Sequence, residues 1–420
     1  MKKINIGICG WGNVATGLYK AINKNHELIK KQANLDICIK FIGARRDNPK
    51  CNPKGVEILR DIFDVTHQDI DVVVELIGGV ETARELILSA LKNKKHVITA
   101  NKAVIFQHGD ELFNIASKNN IKILYESAVC AGTPIIKVLR EELAGNNISK
   151  ISGMLNGTTN FILSEMEKGA DFDPTLAIAQ KKGYAEPDPS FDIDGIDAAH
   201  KIGILSYIAH GTSLPPQNFY IEGISDITSS DFKNASDLGY VIKHLAVANQ
   251  INDSIELRAH PALIRKESIL ASLQGVRNGI EIDTDLVGKI HITGSGAGQE
   301  STASGLISDI IHLSNNNNIA ITDNIAQQAS SESLKEFNEI LFKHYFSMEI
   351  EDEKEINQKI ISEADNNNIK IEQIISNKDK PSNIYFITNL VKESEASNLL
   401  NQLKAIGSVK NIKRIRIESE

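Results

Sequence analysis

The stretch INIGICGWGNVATG, residues 4–17, decides the fold of the amino-terminal part of the chain. It begins with apolar, β-branched residues that predict a strand, and it continues as a G-x-G-x-x-G/A motif that opens a helix. Gly10 permits the tight turn, Gly12 lets a pyrophosphate approach the backbone, and Ala15 is small enough for close packing. The free N–H groups at the start of the helix favour an anion. An ordinary strand-to-helix turn is the alternative.

Strand-like and helix-like segments alternate through the first 130 residues. The predicted strands are INIGIC (4–9), ICIKFIGA (37–44), DVVVELI (71–77), KHVITA (95–100) and IKILYES (121–127). Between them, apolar residues recur at three- and four-residue spacing, as in amphipathic helices. This alternation predicts an α/β fold, a Rossmann-type parallel sheet with helices on both faces.

The second predicted strand ends in GARRD, where NAD-binding folds usually carry an acid that binds the ribose 2′-hydroxyl. Arg45 and Arg46 occupy this place. Two guanidinium groups favour a 2′-phosphate, so we expect NADP(H) to be preferred over NAD(H). A pair of solvated arginines is the alternative.

Composition excludes several classes of protein. A chain of 420 residues that is 41% hydrophobic and 24% charged is typical of a soluble globular protein of two or three domains. The net charge of −8 argues against nucleic acid as the main partner. The sequence contains no apolar run of membrane-spanning length, and its four cysteines lack the CxxC spacing of a zinc site. We therefore expect a cytoplasmic protein.

The pattern of segments changes after residue 130. Longer helical segments, TNFILSEMEKG (159–169), GIDAAHKIGILSYIAHG (195–211) and SDLGYVIKHLAVANQ (236–250), mix with strands and predict an α+β domain. The Asn run at 315–318 is interpreted as a linker. The rest of the chain follows the β-α-β-β-α-β order of ferredoxin-like domains. We predict a dinucleotide-binding domain of residues 1–130 plus 300–325, a substrate-binding and dimerisation domain of 131–299, and a third domain of 337–420.

The stretch GYAEPDPSFDIDGIDAAHK, residues 183–201, concentrates negative charge beside one lysine. An EF-hand loop that began at Ser190 would place Lys201 at position twelve, where a bidentate Glu is required, so that loop is excluded. Asp197 and Lys201 stand four residues apart on a predicted helix and share one face. A solvated surface pair is one explanation. An acid–base site, in which carboxylates hold a polar substrate beside the lysine, is the other.

The same stretch, with Ala179 before it, resembles the signature of homoserine dehydrogenase, A-x-x-x-G-Y-A, then D-P, then D-I-x-G-x-D-x-x-x-K. The other segments that resemble this family are VVVELIGG (72–79), TANKA (99–103), ESAVCAGTPIIK (126–137), NGTTNFIL (156–163) and GSGAG (294–298). The resemblance is collinear from the first strand to about residue 325. It implies reversible, NAD(P)-dependent oxidation of L-homoserine to L-aspartate 4-semialdehyde, a step in threonine, methionine and isoleucine biosynthesis, by a homo-oligomer (dimer or tetramer).

The resemblance also implies roles for single residues. Lys201 matches the proton donor to the aldehyde oxygen, and Lys102 matches a second lysine near the nicotinamide. The implied catalytic residues are Lys201, Lys102 and Asp197, and the implied substrate-binding residues are Gly183, Glu186 and Asp197. The implied cofactor-binding residues are Gly10, Gly12, Asn13, Val14, Ala15, Arg45, Arg46, Thr99, Lys102 and Gly298. A loop for a monovalent cation (Na⁺ or K⁺) is implied by Glu126, Val129, Ala131 and Thr133.

This assignment is chemically consistent. Homoserine is a zwitterion, so carboxylates suit its ammonium group. Two lysines near one site can lower each other's pKa, as a general base requires. Asp192 is interpreted as ordering the turn, whereas Asp188 and Asp194 are expected to face solvent.

Two features depart from the family pattern. Cys130 stands in the cation loop where Ala or Gly is expected, and without an adjacent His we interpret it as a small filler, not as a nucleophile. The last domain resembles an ACT domain, but the turn after its first strand, EIEDEKEINQKI (349–360), lacks the usual Pro-Gly. The acids that crowd this turn and would repel a ligand carboxylate are Glu351, Asp352, Glu353 and Glu355. We interpret the domain as a scaffold or dimer element that has lost its effector, the alternative being a sensor of a cationic or uncharged ligand.

Two rival functions stay open at this point. One is another NADP-dependent amino-acid aldehyde reductase; a phosphorylating enzyme of that kind would need a nucleophilic Cys with a His base. The other is a non-catalytic, NADP-responsive regulator, which would not need the set Lys102, Glu186, Asp197 and Lys201.

Overall fold

The structure is a computed structural model, which describes residues 1–217, 219–315, 333–351, 356–376 and 382–418. The strands are β1 (Lys2–Cys9), β2 (Leu35–Gly43), β3 (Glu57–Leu59), β4 (Val72–Glu75), β5 (His96–Thr99), β6 (Ile123–Leu124), β7 (Ile148–Met154), β8 (Tyr220–Ile221), β9 (Tyr240–Ile251), β10 (Ser254–Arg265), β11 (Arg277–Thr284), β12 (Lys289–Ser295), β13 (Ser333–Leu334), β14 (Leu341–Ile350), β15 (Ile371–Ser376), β16 (Asn383–Thr388), β17 (Val391–Lys392) and β18 (Val409–Ile417). The helices are α1 (Asn13–Lys24), α2 (His26–Ala33), α3 (Glu81–Lys92), α4 (Lys102–Lys118), α5 (Gly157–Glu167), α6 (Phe172–Lys181), α7 (Ser190–Ile193), α8 (Ile196–His210), α9 (Ser229–Asp237), α10 (Gln299–Asn315), α11 (Ile356–Asn366) and α12 (Glu393–Ala405). Over the described ranges, no helix combines the length and the apolar character that crossing a membrane requires.

The chain forms two compact units. The first contains Met1–Ile151, His200–Gln217 and Arg277–Glu332, and the second contains Ser152–Ala199, Asn218–Val276 and Ser333–Glu420. The predicted division into three domains stays a prediction. Two sequence interpretations fall outside the described residues: the linker beyond Asn315 and the acidic residues Asp352, Glu353 and Glu355.

The first unit contains the predicted parallel sheet. Its six strands are all paired in parallel and follow the order β3-β2-β1-β4-β5-β6. The central strand β1 is apolar, and Ile6 and Ile8 have no exposed surface because helices cover both faces. The order reverses between β1 and β4, and open parallel sheets bind ligands outside the carboxyl ends of the strands at such a point. The Rossmann-type α/β prediction is therefore confirmed, although β6 is shorter than predicted.

One predicted helix is wrong. The segment SDLGYVIKHLAVANQ contains strand β9, which pairs antiparallel with β10 along its whole length. Every residue from Val241 to Ala248 is buried. A strand that is covered on both faces appears in sequence as a continuous apolar run, and periodicity alone does not distinguish such a run from a buried helix.

The second unit contains a sheet in the order β9-β10-β18-β14-β16-β15. Its last four strands, with α11 and α12, have the predicted β-α-β-β-α-β order, which is confirmed. Phe346 and Met348 of β14 pack in one apolar cluster with Ile360 of α11 and Leu399 of α12. The helices therefore cover one face of this part of the sheet.

One buried ion pair joins β10 to the end of the chain's last strand, and a second joins that strand to α12. The Glu418 carboxylate accepts hydrogen bonds from Arg258 Nε at 2.9 Å and Nη2 at 3.0 Å. Two residues before Glu418, Arg416 donates to Glu393 of α12 through Nε at 2.9 Å and Nη2 at 2.7 Å. Burial by itself raises the pKa of Glu418, but Arg258 and His260 outweigh it and hold that pKa well below its usual range.

Replacing Glu418 with Ala should lower the free energy of unfolding by about 1.5–3 kcal/mol, because Arg258 loses two charged hydrogen bonds and keeps the one that its Nη1 donates to Glu256. Glu372→Ala is the matched control in the same unit: its partner Lys343 is as exposed as Glu372, so the loss should stay below about 1 kcal/mol. Urea unfolding curves measure both values.

The Glu418 contribution should also depend on pH. Since its pKa is lower in the folded state, the stabilisation is complete at neutral pH and is lost as pH falls below about 4 and through the lowered pKa. Equal losses in the two variants, or a Glu418 contribution that grows toward acid pH, would contradict this account.

Candidate active site

The glycine loop joins β1 to α1 at the point where the strand order reverses. Gly10 has a φ of 100°, and a Cβ there would lie 2.5 Å from the carbonyl oxygen of Leu76. A Cβ on Gly12, the N-cap of α1, would meet no atom within 4 Å. Gly10 thus serves the turn and the packing on the end of β4, whereas Gly12 leaves its backbone open to a ligand.

The close packing at the start of α1 involves one more glycine than predicted. Ala15 is buried, but α10 approaches most closely at Gly17, where a Cβ would lie 2.4 Å from Gln299 Cγ. Gln299 Nε2 also donates to Thr16 Oγ1 at 3.1 Å. Gly298, with a φ of 120°, immediately precedes this contact. The residue after Gly298 therefore packs against the first turns of α1, and the role of Gly298 in cofactor binding stays a prediction.

Arg45 and Arg46 lie exposed directly after β2. The loop that carries them is fixed to the glycine loop, because Asn48 Nδ2 donates to the Trp11 carbonyl at 3.0 Å. Trp11 Nε1 in turn donates to the Cys51 carbonyl at 3.1 Å. The two arginines therefore stand beside the loop that is predicted to bind the pyrophosphate.

A buried acid that the sequence analysis missed organises the TANK segment. Glu75, the last residue of β4, has no exposed surface and accepts hydrogen bonds from Thr99 Oγ1 at 2.5 Å and from the Ile77 N–H at 2.8 Å. Burial raises the pKa of Glu75, although the hydrogen bond from Thr99 acts in the opposite direction. The signal in the sequence was a charged residue inside the apolar run VVVE.

Lys102 is held at the first position of α4. Asn101, the N-cap, accepts from the Val104 N–H at 3.2 Å and donates from Nδ2 to the Gly79 carbonyl at 2.7 Å. Asn is among the best N-cap residues because its side chain satisfies one of the free N–H groups of the first turn. Thr99 and Lys102 are therefore fixed within one short loop.

The helices that carry the two predicted lysines pack against each other. Phe106 of α4 stacks on His200 of α8, with ring centroids 4.0 Å apart and an interplanar angle of 11°. At Gly203 a Cβ would lie 2.6 Å from the Phe106 ring, so this contact requires glycine. Lys201 follows His200 directly and is 8% exposed, which excludes the interpretation of Asp197 and Lys201 as a solvated surface pair.

Asp197 is buried in the first turn of α8, with 4% of its surface exposed. Its Oδ2 accepts a hydrogen bond from Asn156 Nδ2 at 2.8 Å, and the same nitrogen donates to Asp192 Oδ1 at 2.7 Å. Asn156 was missed as a site residue, although it begins the quoted segment NGTTNFIL. Its signal was an Asn at the N-cap position of the helix that follows.

The turn into α8 packs on a neutral histidine. Gly195 has a φ of 83°, and a Cβ there would lie 2.8 Å from His244 Nε2. His244 Nε2 donates to the Glu222 carbonyl at 2.9 Å. Burial lowers the pKa of His244 to about 4, so the ring is uncharged at neutral pH. This contact fixes the start of the helix that carries Asp197.

The remaining acids of the 183–201 stretch are at the surface. Gly183 ends α6 with a φ of 73°, and Glu186 lies exposed in the loop before α7. Asp188 and Asp194 are exposed, as the sequence analysis expected. The structure therefore brings Asp192 and Asp197 together through Asn156 and leaves Glu186 open to solvent.

Glu126 fixes the predicted cation loop. Its buried carboxylate accepts from the N–H groups of Ile135 (2.8 Å) and Ile136 (3.0 Å) at Oε1 and from that of Lys137 (2.9 Å) at Oε2. The Glu126 N–H donates to Asp309 Oδ2 at 2.9 Å. Burial raises the pKa of Asp309 to about 6, although Lys137, at 2.9 Å, acts in the opposite direction. Asp309, in the apolar pattern of α10, was also missed.

The backbone between Glu126 and Thr133 has an unusual conformation. Cys130 and Ala131 have φ values of 54° and 35°, a region that non-glycine residues seldom occupy without a functional reason. Val129, Ala131 and Thr133 are buried, and Thr133 Oγ1 donates to the Ser295 carbonyl at 3.2 Å. The Cys130 thiol is buried, and Asn278 Nδ2 donates to its sulfur at 3.3 Å, which agrees with a packing role. Among the described residues, no three His, Cys, Asp or Glu side chains are grouped so as to hold a metal ion.

The sheet is parallel, its glycine loop is open at the point where the strand order reverses, and α8 carries a buried lysine and a buried carboxylate. These features define an NAD(P)-dependent oxidoreductase. Comparisons specify the class further. The family models described as "Homoserine dehydrogenase, NAD binding domain" and "Homoserine dehydrogenase" match residues 10–126 and 134–311. The homoserine dehydrogenase of Neisseria gonorrhoeae is 38% identical, with 100% of this chain and 99% of that protein covered. That of Pseudomonas aeruginosa is 48% identical over 74% of this chain and 73% of its own.

Solved structures agree. A homoserine dehydrogenase from Thiobacillus denitrificans superposes with a TM-score of 0.93 at 36% identity and covers 100% of this chain and 99% of its own. A hyperthermophilic archaeal homoserine dehydrogenase in complex with NADPH has a TM-score of 0.63 at 29% identity and covers 74% of this chain and 98% of its own. This chain belongs to the homoserine dehydrogenase family.

Gly12→Ala should weaken NADPH binding by about tenfold or more, because the methyl group would occupy the space through which we predict that the pyrophosphate approaches. Its free energy of unfolding should change by less than about 1 kcal/mol, since the methyl group meets no protein atom. Fluorescence titration and urea unfolding measure the two effects.

Gly10→Ala is the matched control. Its φ and the contact with Leu76 predict a loss of stability that Gly12→Ala does not show. An unchanged NADPH affinity in Gly12→Ala would show that the ligand does not approach this glycine.

Proposed function

We propose that this chain is an active homoserine dehydrogenase, which interconverts L-homoserine and L-aspartate 4-semialdehyde in threonine, methionine and isoleucine biosynthesis. The observation that carries the proposal is the pair Asp197 and Lys201, both buried and four residues apart on α8. A non-catalytic regulator would have no need to bury a lysine one helical turn from a carboxylate. An aldehyde reductase that uses a thiol nucleophile would need a base beside its cysteine, and the described partner of the Cys130 sulfur is the Asn278 amide.

The reaction requires one proton and one hydride to leave the substrate. The nicotinamide, when bound, supplies the hydride acceptor. Lys201 takes the proton from the hydroxyl group and returns it to the aldehyde oxygen in the reverse direction. Asp197 holds the substrate ammonium group, with Glu186 and Gly183 completing the binding site, and Lys102 orients the hydroxyl group.

Asp197 and Lys201 are four residues apart on α8, the spacing at which two side chains of a helix share a face, so they suit the ammonium group and the hydroxyl group of one substrate. This arrangement reduces the orientational freedom that the bound substrate has to lose before reaction. The packing of Phe106 on His200 holds the lysine-bearing part of the helix in place.

We also propose that NADP(H) is preferred over NAD(H) and that Arg46, with Arg45 secondary, binds the 2′-phosphate. Both guanidinium groups are exposed at the end of β2, where the ribose of the cofactor binds in this fold. The link from Asn48 to Trp11 keeps them next to the glycine loop. A family member of known structure binds NADPH, which supports the preference.

We propose a monovalent cation, Na⁺ or K⁺, in the loop of Glu126, with the carbonyl oxygens of Val129, Ala131 and Thr133 as further ligands. Hard cations prefer oxygen ligands of this kind. The Glu126 carboxylate is held by three backbone N–H groups, and a carboxylate offers about four lone-pair positions, so its acceptor capacity exceeds these three bonds. The left-handed backbone at Cys130 and Ala131 is the kind of strain that persists where a ligand uses it.

Assembly and location complete the proposal. We propose a cytoplasmic homo-oligomer, a dimer or tetramer, with neither nucleic acid nor a membrane as partner. The three domains take the boundaries given above, and residues 337–420 form an ACT-like scaffold or dimer element without an effector.

Lys201→Ala should lower kcat for homoserine oxidation by roughly 10²–10⁴-fold and leave NADPH affinity nearly unchanged, because the loss falls on proton transfer. NADPH formation on addition of homoserine and NADP⁺ measures kcat, and fluorescence titration measures cofactor binding.

Lys243→Ala is the matched control. Lys243 is a buried lysine that donates to the Leu273 carbonyl at 2.9 Å, so its loss should affect stability more than turnover. A wild-type protein that forms no NADPH with homoserine would contradict the proposed function. Similar kcat losses in the two variants would show that Lys201 is structural.

Arg46→Ala should weaken NADP⁺ binding by about 1.5–3 kcal/mol, the range for a hydrogen bond to a charged group, and affect NAD⁺ binding much less. Arg60→Ala is a suitable control, since Arg60 pairs with Asp47 in the same region and should not bind the 2′-phosphate. Dissociation constants for both dinucleotides test this prediction. An equal loss of affinity for NADP⁺ and for NAD⁺ would exclude Arg46 as the ligand of the 2′-phosphate.

A further inference from the structure

Asn156 connects two carboxylates through a single amide nitrogen. Its Nδ2 donates one hydrogen to Asp197 Oδ2 at 2.8 Å and the other to Asp192 Oδ1 at 2.7 Å. Asn156 and Asp197 are 5% and 4% exposed, so these bonds form largely out of water. Both amide hydrogens of Asn156 are therefore committed to the two acids.

The orientation of this amide is fixed from the other side. Asn156 Oδ1 accepts the Thr159 N–H at 2.7 Å and so caps α5. Because only the oxygen can accept that bond, the nitrogen must point at the two carboxylates. The next residue adds rigidity: a Cβ at Gly157 would lie 2.9 Å from the Val276 carbonyl oxygen, so the helix start is packed against residue 276.

Charge explains why an amide is suited to this place. Two carboxylates that approach one point repel each other, and each resists ionisation unless hydrogen bonds favour the charged form. A neutral group with two N–H donors satisfies both without adding charge. Asp would add a third negative group, and Ser would offer a single donor while still capping the helix.

We propose that Asn156 is a positioning residue for the reaction: it holds Asp197 in the orientation that receives the substrate ammonium group and ties Asp192 to the same point. This inference rests on the proposed function. It assigns Asp192 a defined partner and gives the N-cap of α5 a second role beyond helix stability. Asn156 acts on the reaction by positioning Asp197, so its loss should affect substrate binding.

Asn156→Ser and Asn156→Asp separate the two roles. Both residues are good N-caps, so the α5 cap is retained, but Ser loses one donor and Asp loses both. The KM for homoserine should rise about tenfold in Asn156→Ser and further in Asn156→Asp, a cost of about 1.4 kcal/mol per tenfold. In both, kcat should change less than about threefold and the Kd for NADPH should stay the same, because binding of substrate and transition state weakens equally.

Thr228→Ala is the control for the loss of a helix cap. Thr228 caps α9 in the same unit, where its N–H and hydroxyl bond Asp231 Oδ2 at 3.0 and 2.7 Å. This variant should lose thermal stability and keep the wild-type KM.

The outcomes are distinguishable. Homoserine turnover by the wild-type protein with an unchanged KM in both Asn156 variants would overturn the inference alone. A rise in KM that Thr228→Ala reproduces at equal loss of stability would also overturn it, since capping would then explain the effect. If the wild-type protein does not turn over homoserine, the proposed function fails, and the inference fails with it.

Discussion

A carboxylate that is removed from water must be surrounded by hydrogen-bond donors, and three such carboxylates set the functional loops of this chain. Glu75 fixes the segment of Thr99 and Lys102, Glu126 binds three backbone N–H groups that follow the predicted cation loop, and Asp197 is held by Asn156. Each acid is buried where an apolar side chain would pack at lower cost. Their burial therefore indicates that position, more than stability, is what these residues contribute, and the lysines and glycines of the site depend on the loops that they hold.

The sequence predicts the helices, the strands and the glycine loop well, because each follows from a periodic or short local pattern of residues. The glycine loop, the parallel sheet and the β-α-β-β-α-β order all follow from spacing within short windows. The prediction of a helix at strand β9 was wrong because a strand that is buried on both faces lacks the alternation of polar and apolar residues that marks a strand. Asn156 and Glu75 were missed because their partners lie 41 and 24 residues away, a relation that spacing does not encode.

The carboxyl-terminal strand has two structural roles. Strand β18 pairs antiparallel with β14 inside the ferredoxin-like sheet and parallel with β10 at its end. The Arg258–Glu418 pair links β10 to the residue that follows β18, and the Arg416–Glu393 pair links β18 to α12. This shared sheet supports the proposal that residues 337–420 act as a scaffold.

The central claim is that this chain moves a hydride from the carbinol carbon of homoserine to a nicotinamide while Lys201 moves the proton. Homoserine deuterated at that carbon tests the claim directly when the reduced cofactor is analysed by mass spectrometry. The account predicts NADPH that carries one deuterium, formed together with aspartate 4-semialdehyde in equal amount. Unlabelled NADPH, or no reduced cofactor at all with either dinucleotide, would contradict it.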